Sequence, residues 1–286
     1  MKNYITDYER YLKISRKSLS TVYQYVNDVK LFLGIAGKDC VSCNDSDVEL
    51  FIEKLIDRKY KNSTIQRKII SLRGYYAFLI AKGILKKNPF FSAPRLKAEK
   101  MDLRVLTYGE VEKIFECLEE YPDTLQGREA SMIFKIMYYL GLRVAEVASL
   151  NVSGIITSPE MSIRFTGKGG NERILPVIND KLASSLQGWL EFRKRFSGTD
   201  ALFISRTVCR ISVRSIQRWI KKIGENSEIQ GTISPHTLRR SFATHLIERD
   251  VDVFTVASIL GHSSISTTKR YVMINHQRIR EALIRL

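Results

Sequence analysis

Between Asn88 and Arg95 the helical patterning of the chain stops. The stretch Asn88-Pro89-Phe90-Phe91-Ser92-Ala93-Pro94-Arg95 carries two prolines. Proline has no backbone N–H to donate, and it disfavours helix in the residue before it. Lys97, Lys100 and Arg104 follow, so the segment reads as an exposed basic linker. A chain of 286 residues is long enough for two cores. The break therefore predicts a first unit over 1–90, a linker over 91–104 and a second unit over 105–286.

The first unit reads as four helices. Val22, Val26, Val29 and Leu33 recur at helical spacing and stop near Gly34 and Gly37. Asp45 to Ile56 fits a helix capped by Asp45 or Ser46, with Val48, Phe51, Ile52 and Leu55 inward. A further helix starts near Ser63 and buries Ile65, Ile69, Leu72, Tyr76 and Leu79 before Gly83 stops it. Gln66 and Arg67 point away from that stripe.

The second unit opens on Thr107-Tyr108-Gly109-Glu110, a capping-box pattern. An apolar face on Met132, Ile133, Ile136, Met137 and Leu140 ends at Gly141, and Arg143 follows just before a short helix with Val144, Val147 and Leu150. The one clear β signal is a hairpin. Met161 to Phe165 alternates, Gly167-Lys168-Gly169-Gly170-Asn171 turns, and Arg173 to Val177 returns. From Ser212 a helix buries Val213, Ile216, Ile220 and Ile223, while Arg210, Arg214, Arg218 and Lys221 recur at near four-residue intervals as a cationic stripe. Ser234-Pro235 is a strong helix start. His236, Arg239, Arg240 and Ala243 share one face of that helix, and Leu238, Phe242 and Leu246 share the other. His245 falls about half a turn from His236 and reads as structural. Val253, Val256, Ala257 and Leu260 form the next helix, Gly261 ends it, and His262 comes just past the end. Tyr271 follows a turn capped by Ser266. Ile279, Ala282, Leu283 and Leu286 suggest a short amphipathic C-terminal helix able to dock on a neighbouring subunit. The class is mainly α, an α+β chain with a small antiparallel sheet in its second unit.

The charge narrows the partner. Lys and Arg number 46 against 30 Asp and Glu, a formal net charge of +16. Residues 1–104 hold 21 of the basic groups and 11 of the acidic ones, so the smaller helical part is the more densely cationic. Self-repulsion of that size destabilises a compact unit unless a polyanion relieves it, and nucleic acid is the first choice of partner. No apolar run approaches a membrane span and the N-terminus lacks an apolar signal core, which predicts a cytoplasmic location without membrane contact. Cys40-x-x-Cys43 has no second pair at zinc spacing, so the four cysteines read as reduced, unligated thiols. The P-loop pattern is absent, and no metal or cofactor is expected.

Gly141-Leu142-Arg143-Val144-Ala145-Glu146-Val147, His236-x-x-Arg239, Leu260-Gly261-His262 and Thr268-x-x-Tyr271, with Lys168 in the hairpin, resemble the signature boxes of the tyrosine recombinases. The resemblance covers essentially the whole chain, and the overall length is similar to the Xer recombinases. It implies a four-helix core-binding domain followed by a catalytic domain. It also implies a covalent 3′-phosphotyrosyl intermediate on Tyr271, with Lys168 protonating the departing 5′ oxygen and Glu146 as an accessory group. Four subunits would act on two sites of double-stranded DNA, and an accessory activating protein is left open.

The chemistry agrees with those residue types. Attack on a phosphodiester adds negative charge at phosphorus, and two guanidiniums, Arg143 and Arg239, can each give two N–H donors to non-bridging oxygens. His236 and His262 add hydrogen bonds and proton movement near neutral pH. Free tyrosine has a pKa of about 10, so neighbouring cations should ease ionisation of Tyr271 as the nucleophile. Arg67, Arg210, Arg214, Arg218 and Arg240 are the candidate DNA contacts. Chromosome dimer resolution is the expected role. Mobile-element integration, type IB topoisomerase-like nicking and closing, and non-catalytic DNA binding are the alternatives.

Overall fold

The structure, a computed structural model, describes residues 4–97, 104–167, 170 and 172–261. The chain divides into two compact units, 1–102 and 103–286.

The first unit holds α1 (Tyr4–Ile14), α2 (Leu19–Ala36), α3 (Asp45–Asp57) and α4 (Asn62–Ala81). Ser18 caps α2, and Gly37 ends it in the left-handed region at φ 64°. The cap of α3 is Asn44, one residue ahead of the expected Asp45. Its Oδ1 accepts from the amides of Ser46 and Asp47, while the Asp47 carboxylate accepts from the Asn44 amide. The core packs Phe32, Phe51, Leu55, Ile69, Leu72 and Tyr76 around the stripe expected of α4.

Residues 88–97 run back along α4. Phe90 is fully buried and meets the rings of Phe32, Phe51 and Tyr76. The backbone of this stretch is hooked by side chains of α4. Arg73 donates to the carbonyls of Phe90 and Ala93 at 2.8 and 2.7 Å, Gln66 accepts from the Leu96 amide at 2.9 Å, and Asn62 donates to the Lys97 carbonyl at 3.1 Å. An irregular segment with two prolines satisfies few of its own backbone groups, here the Asn88 and Phe90 carbonyls through the Phe91 and Ala93 amides, and α4 supplies further partners. The side chains of Phe91, Arg95 and Lys97 remain exposed.

The second unit holds α5 (Tyr108–Glu119), α6 (Leu125–Leu140), α7 (Val144–Ser149), a 3₁₀ turn (Val152–Gly154), β1 (Ile155–Ile156), β2 (Ser162–Thr166), β3 (Glu172–Pro176), α8 (Asp180–Arg193), α9 (Val213–Asn226), α10 (Pro235–Glu248) and α11 (Val253–Leu260). The Thr107–Glu110 capping box starts α5 as the sequence predicts. The sheet is antiparallel in the order β1-β2-β3, with Ile163 opposite Leu175 and Phe165 opposite Arg173. The hairpin lies within a residue of its expected bounds, and the two-residue β1 is an addition to it. Ile133, Phe134, Ile136 and Met137 of α6 lie at the centre of the core. Side chains of α10 pin the entry to the unit. Ser241 accepts from the Leu106 amide, Arg240 donates to the Arg104 carbonyl, and His245 Nε2 lies 2.8 Å from the Leu106 carbonyl. The four cysteines are unpaired. Among the described residues no helix is long and apolar enough to cross a membrane.

Candidate active site

The site is built where α6 stops. Gly141 ends that helix at φ 62°, and a Cβ there would lie 2.3 Å from the Phe242 ring and 2.9 Å from Leu260. Glycine is needed for both reasons, the backbone sign and the close approach of α10 and α11. The tight turn delivers Arg143 to the N-cap of α7. Its backbone N–H donates to Glu146 Oε2 at 2.7 Å, and its Nη1 donates to Oε1 at 2.7 Å. Glu146 is 4% exposed, so a buried carboxylate is neutralised by a cation that still shows 30% of its side chain to solvent.

Arg239 comes in from the first turns of α10. It is buried, with Nη1 donating to the Gly141 carbonyl and Nη2 to the Leu260 carbonyl, each at 2.7 Å. Its Nη1 also lies 3.8 Å from Glu146 Oε2. Glu146 thus stands between the two guanidiniums and holds them near one another. His236 sits one turn earlier on α10, exposed at the rim. Desolvation, then the charges of Arg239, Arg240 and Arg143, lower its pKa below the ordinary 6.5, which favours the neutral imidazole. The Ser234–Thr237 capping box and Pro235 explain why this helix starts here.

One residue of the cluster was not expected. Arg173 on β3 donates through Nη2 to the carbonyls of Ser258 and Ile259. Burial lowers its pKa; the nearby Glu146 carboxylate opposes that and the Arg143 charge adds to it. Its signal is in the alternation: Arg173, Leu175 and Val177 fall on the inward face of the strand. A charged group on an apolar face needs a partner, and here the partner is the end of α11.

Of the sequence-derived catalytic set, the structure brings Arg143, Glu146, His236 and Arg239 together. Lys168, His262 and Tyr271 lie outside the described residues. His245 is structural, as expected. It is buried, stacks on Tyr108 at 4.2 Å, and places Nδ1 3.0 Å from the Tyr138 hydroxyl.

The candidate DNA contacts divide into two kinds. Arg214 and Arg218 are exposed on α9, as is Lys221 of the same stripe. Arg210 lies ahead of that helix rather than on it, and its donors go to Ala148 O, Leu150 O and Asn151 Oδ1. Arg67 makes two bonds to the buried Asp28, which Lys68 also approaches at 2.7 Å. Arg240 is partly buried against the Arg104 carbonyl. These three have intramolecular work that periodicity does not show.

Residues 104–278 match the model of the phage integrase family, and residues 5–83 match the phage integrase N-terminal SAM-like domain. A tyrosine recombinase XerC of Psychromonas ingrahamii is 32% identical over 93% of this chain and 90% of its own length. A tyrosine recombinase of Pseudothermotoga lettingae is 32% identical over 100% of this chain and 99% of its own. Among solved structures, XerH recombinase bound to palindromic difH substrate superposes with a TM-score of 0.77 at 17% identity, covering 98% of this chain and 94% of that one. A lambda integrase dimer bound to a core site gives 0.75 at 18% identity, covering 95% and 76%.

Proposed function

The chain belongs to the phage integrase family of tyrosine recombinases, enzymes that cut and rejoin DNA, and from that membership we propose that it performs Xer-like site-specific recombination with Tyr271 as nucleophile. The observation that carries the reading is the pair of guanidiniums, Arg143 and Arg239, bridged by the buried Glu146 with His236 one turn away on α10. Two positive groups held by one carboxylate form a fixed receptor for a phosphodiester. The carboxylate lowers the cost of bringing the cations together, and their outward donors meet the charge that develops at phosphorus. His236 in its neutral form can accept a proton, and once protonated can pass it on.

In this reading Tyr271 attacks phosphorus, the 5′ oxygen leaves with a proton from Lys168, and the phosphotyrosyl link keeps the bond's free energy for rejoining. His262 and the two arginines stabilise the charge of the transition state. Double-stranded DNA is the proposed partner and chromosome dimer resolution the proposed role, a reading in keeping with relatives named tyrosine recombinase XerC. The lambda integrase neighbours include a dimer on a core site and a tetramer on a Holliday junction. This chain is proposed to act likewise, as a tetramer on two sites. Arg214 and Arg218 are its most available phosphate contacts, because their side chains are exposed on α9.

The test is covalent capture. The protein is incubated with sheared chromosomal DNA of its source organism, denatured, and the protein-linked fragments are recovered and sequenced. The wild-type chain is expected to give a junction at one sequence, and Tyr271→Phe to bind DNA without forming any adduct. An adduct that survives Y271F refutes the assigned nucleophile. Relaxation of supercoiled DNA at every sequence, without exchange between two sites, would favour a topoisomerase.

A further inference from the structure

Three guanidiniums converge on the last turn of α11. Arg173 takes the carbonyls of Ser258 and Ile259, Arg239 takes that of Leu260 at 2.7 Å, and Arg143 reaches that of Gly261 at 3.3 Å. A helix C-terminus leaves its final carbonyls without intrahelical partners and carries partial negative charge. Here guanidiniums reach the carbonyls of Ile259 and Leu260, which end the helix, that of the capping Gly261, and that of Ser258, which also accepts from the Gly261 N–H at 3.0 Å. Two of the three arginines belong to the phosphate receptor. Arg173 does not, and it comes from a different element, the hairpin.

The place of Arg173 is determined closely. Opposite it on β2 is Phe165, whose ring centroid lies 5.2 Å from the guanidinium carbon. On the other side lies Gly261, where an added Cβ would stand 2.4 Å from Nη1 and 2.7 Å from Cζ. The guanidinium is therefore held between an aromatic ring and bare backbone, and the glycine at 261 is needed for that approach as well as for its φ of 62°.

We propose that Arg173 is a positioning residue for recombination, a fastener that ties the hairpin to the end of α11 and so fixes the backbone from which both Lys168 and His262 are carried. Lys168 precedes Arg173 by five residues in the hairpin, and His262 follows Gly261 directly in the chain. The inference rests on the reading of those two residues as catalytic, and it adds a mechanical link between them. In this role Arg173 acts through the backbone it holds rather than on the phosphate or the nucleophile. It fixes β3 and Gly261, backbone close in the chain to Lys168 and His262.

The test uses the full chain with Arg173→Ala and Arg173→Lys, and has a part that needs no DNA. Amide hydrogen exchange is followed in peptides covering 253–261 and, as a control for global folding, in α6. R173A is expected to exchange at least about tenfold faster in the α11 peptide, with α6 unchanged. R173K keeps the charge but loses the planar guanidinium that lies against the Phe165 ring, and is expected to fall between R173A and wild type. Unchanged exchange in R173A overturns the fastening, whatever the protein does to DNA. In the second part, the duplex recovered by covalent capture is used at saturating concentration. R173A is expected to form adduct about ten- to a hundredfold more slowly, because an ångström of misplacement is enough for that, with the DNA Kd within about twofold of wild type. R173K recovers part of the rate. A loss confined to Kd would make Arg173 a simple phosphate contact and would overturn the proposal. Failure of the wild-type chain to form adduct counts against the recombinase reading alone, while the exchange measurement still judges Arg173.

Discussion

Glu129 offers the sharpest quantitative prediction. It lies on α6, fully buried, with one carboxylate oxygen accepting from the Ile204 amide and the other without a hydrogen-bond partner. Burial pushes its pKa from the ordinary 4.5 up to about 8, against the opposing pull of the Ile204 amide and the Arg193 charge. The folded chain therefore keeps a proton that the unfolded chain releases, which is the reverse of a salt-bridged carboxylate. Stability is untouched below the unfolded value of 4.5. It falls by about 1.4 kcal/mol per pH unit as the pH rises above that, and levels off once the folded group titrates near 8. Between pH 6 and pH 9 this one group is expected to cost the fold roughly 2–3 kcal/mol. Glu129→Gln keeps the shape and the acceptor for Ile204 but has no proton to lose. Urea unfolding of both proteins at pH 6, 7, 8 and 9 isolates the effect, because every other titrating group cancels in the difference. The advantage of E129Q is expected to grow by roughly 2–3 kcal/mol across that range, or about 5–10 °C in the Tm of a unit this size. Parallel curves, with the difference changing by less than about 0.5 kcal/mol, would show that Glu129 ionises normally and that water reaches it.

Gly141→Ala is expected to destabilise the second unit by at least about 2 kcal/mol, since the new methyl meets the Phe242 ring in a left-handed turn; a Tm within 2 °C of wild type would refute the close approach. Glu146→Ala leaves Arg143 and Arg239 facing each other without their shared carboxylate. It is expected to cost about 3 kcal/mol in urea unfolding and to slow adduct formation, and an unaltered rate would mean the arginines need no anchor. His245 has its pKa lowered by burial, so its contribution to stability should fade as pH drops below the ordinary 6.5. His245→Gln should flatten that acid side, and an unchanged acid limb would mean the ring protonates freely inside the fold.

The parts of the molecule set by local chemistry could be read from the sequence. Gly141 and Gly261 mark their helix ends because the left-handed region favours glycine, and both stand at φ 62°. Thr107 with Glu110, and Ser234 with Pro235, announce their helices by satisfying the first orphan amides. The pairing of Arg143 with Glu146 is three residues long and could be anticipated. What stayed hidden is the work done by side chains on distant backbone. Arg210 reaches carbonyls about sixty residues away, and Arg173 reaches one 86 residues away. A stripe of arginines at helical spacing looks the same whether its donors meet solvent, DNA or an internal carbonyl. The cap of α3 differs from the expected Asp45 or Ser46 for a related reason: Asn44, Asp45 and Ser46 can all cap, and only the reciprocal bond to Asp47 chooses among them.

The ring of arginine-to-carbonyl bonds at the end of α11 changes when conformational freedom is lost. A long, flexible arginine gives up about 1.5–2 kcal/mol of rotamer entropy when it is immobilised. In Arg143 and Arg239 that loss is incurred as the chain folds, because the peptide itself already grips them. An arriving phosphate meets a preorganised receptor, and its binding energy is left for the chemical step.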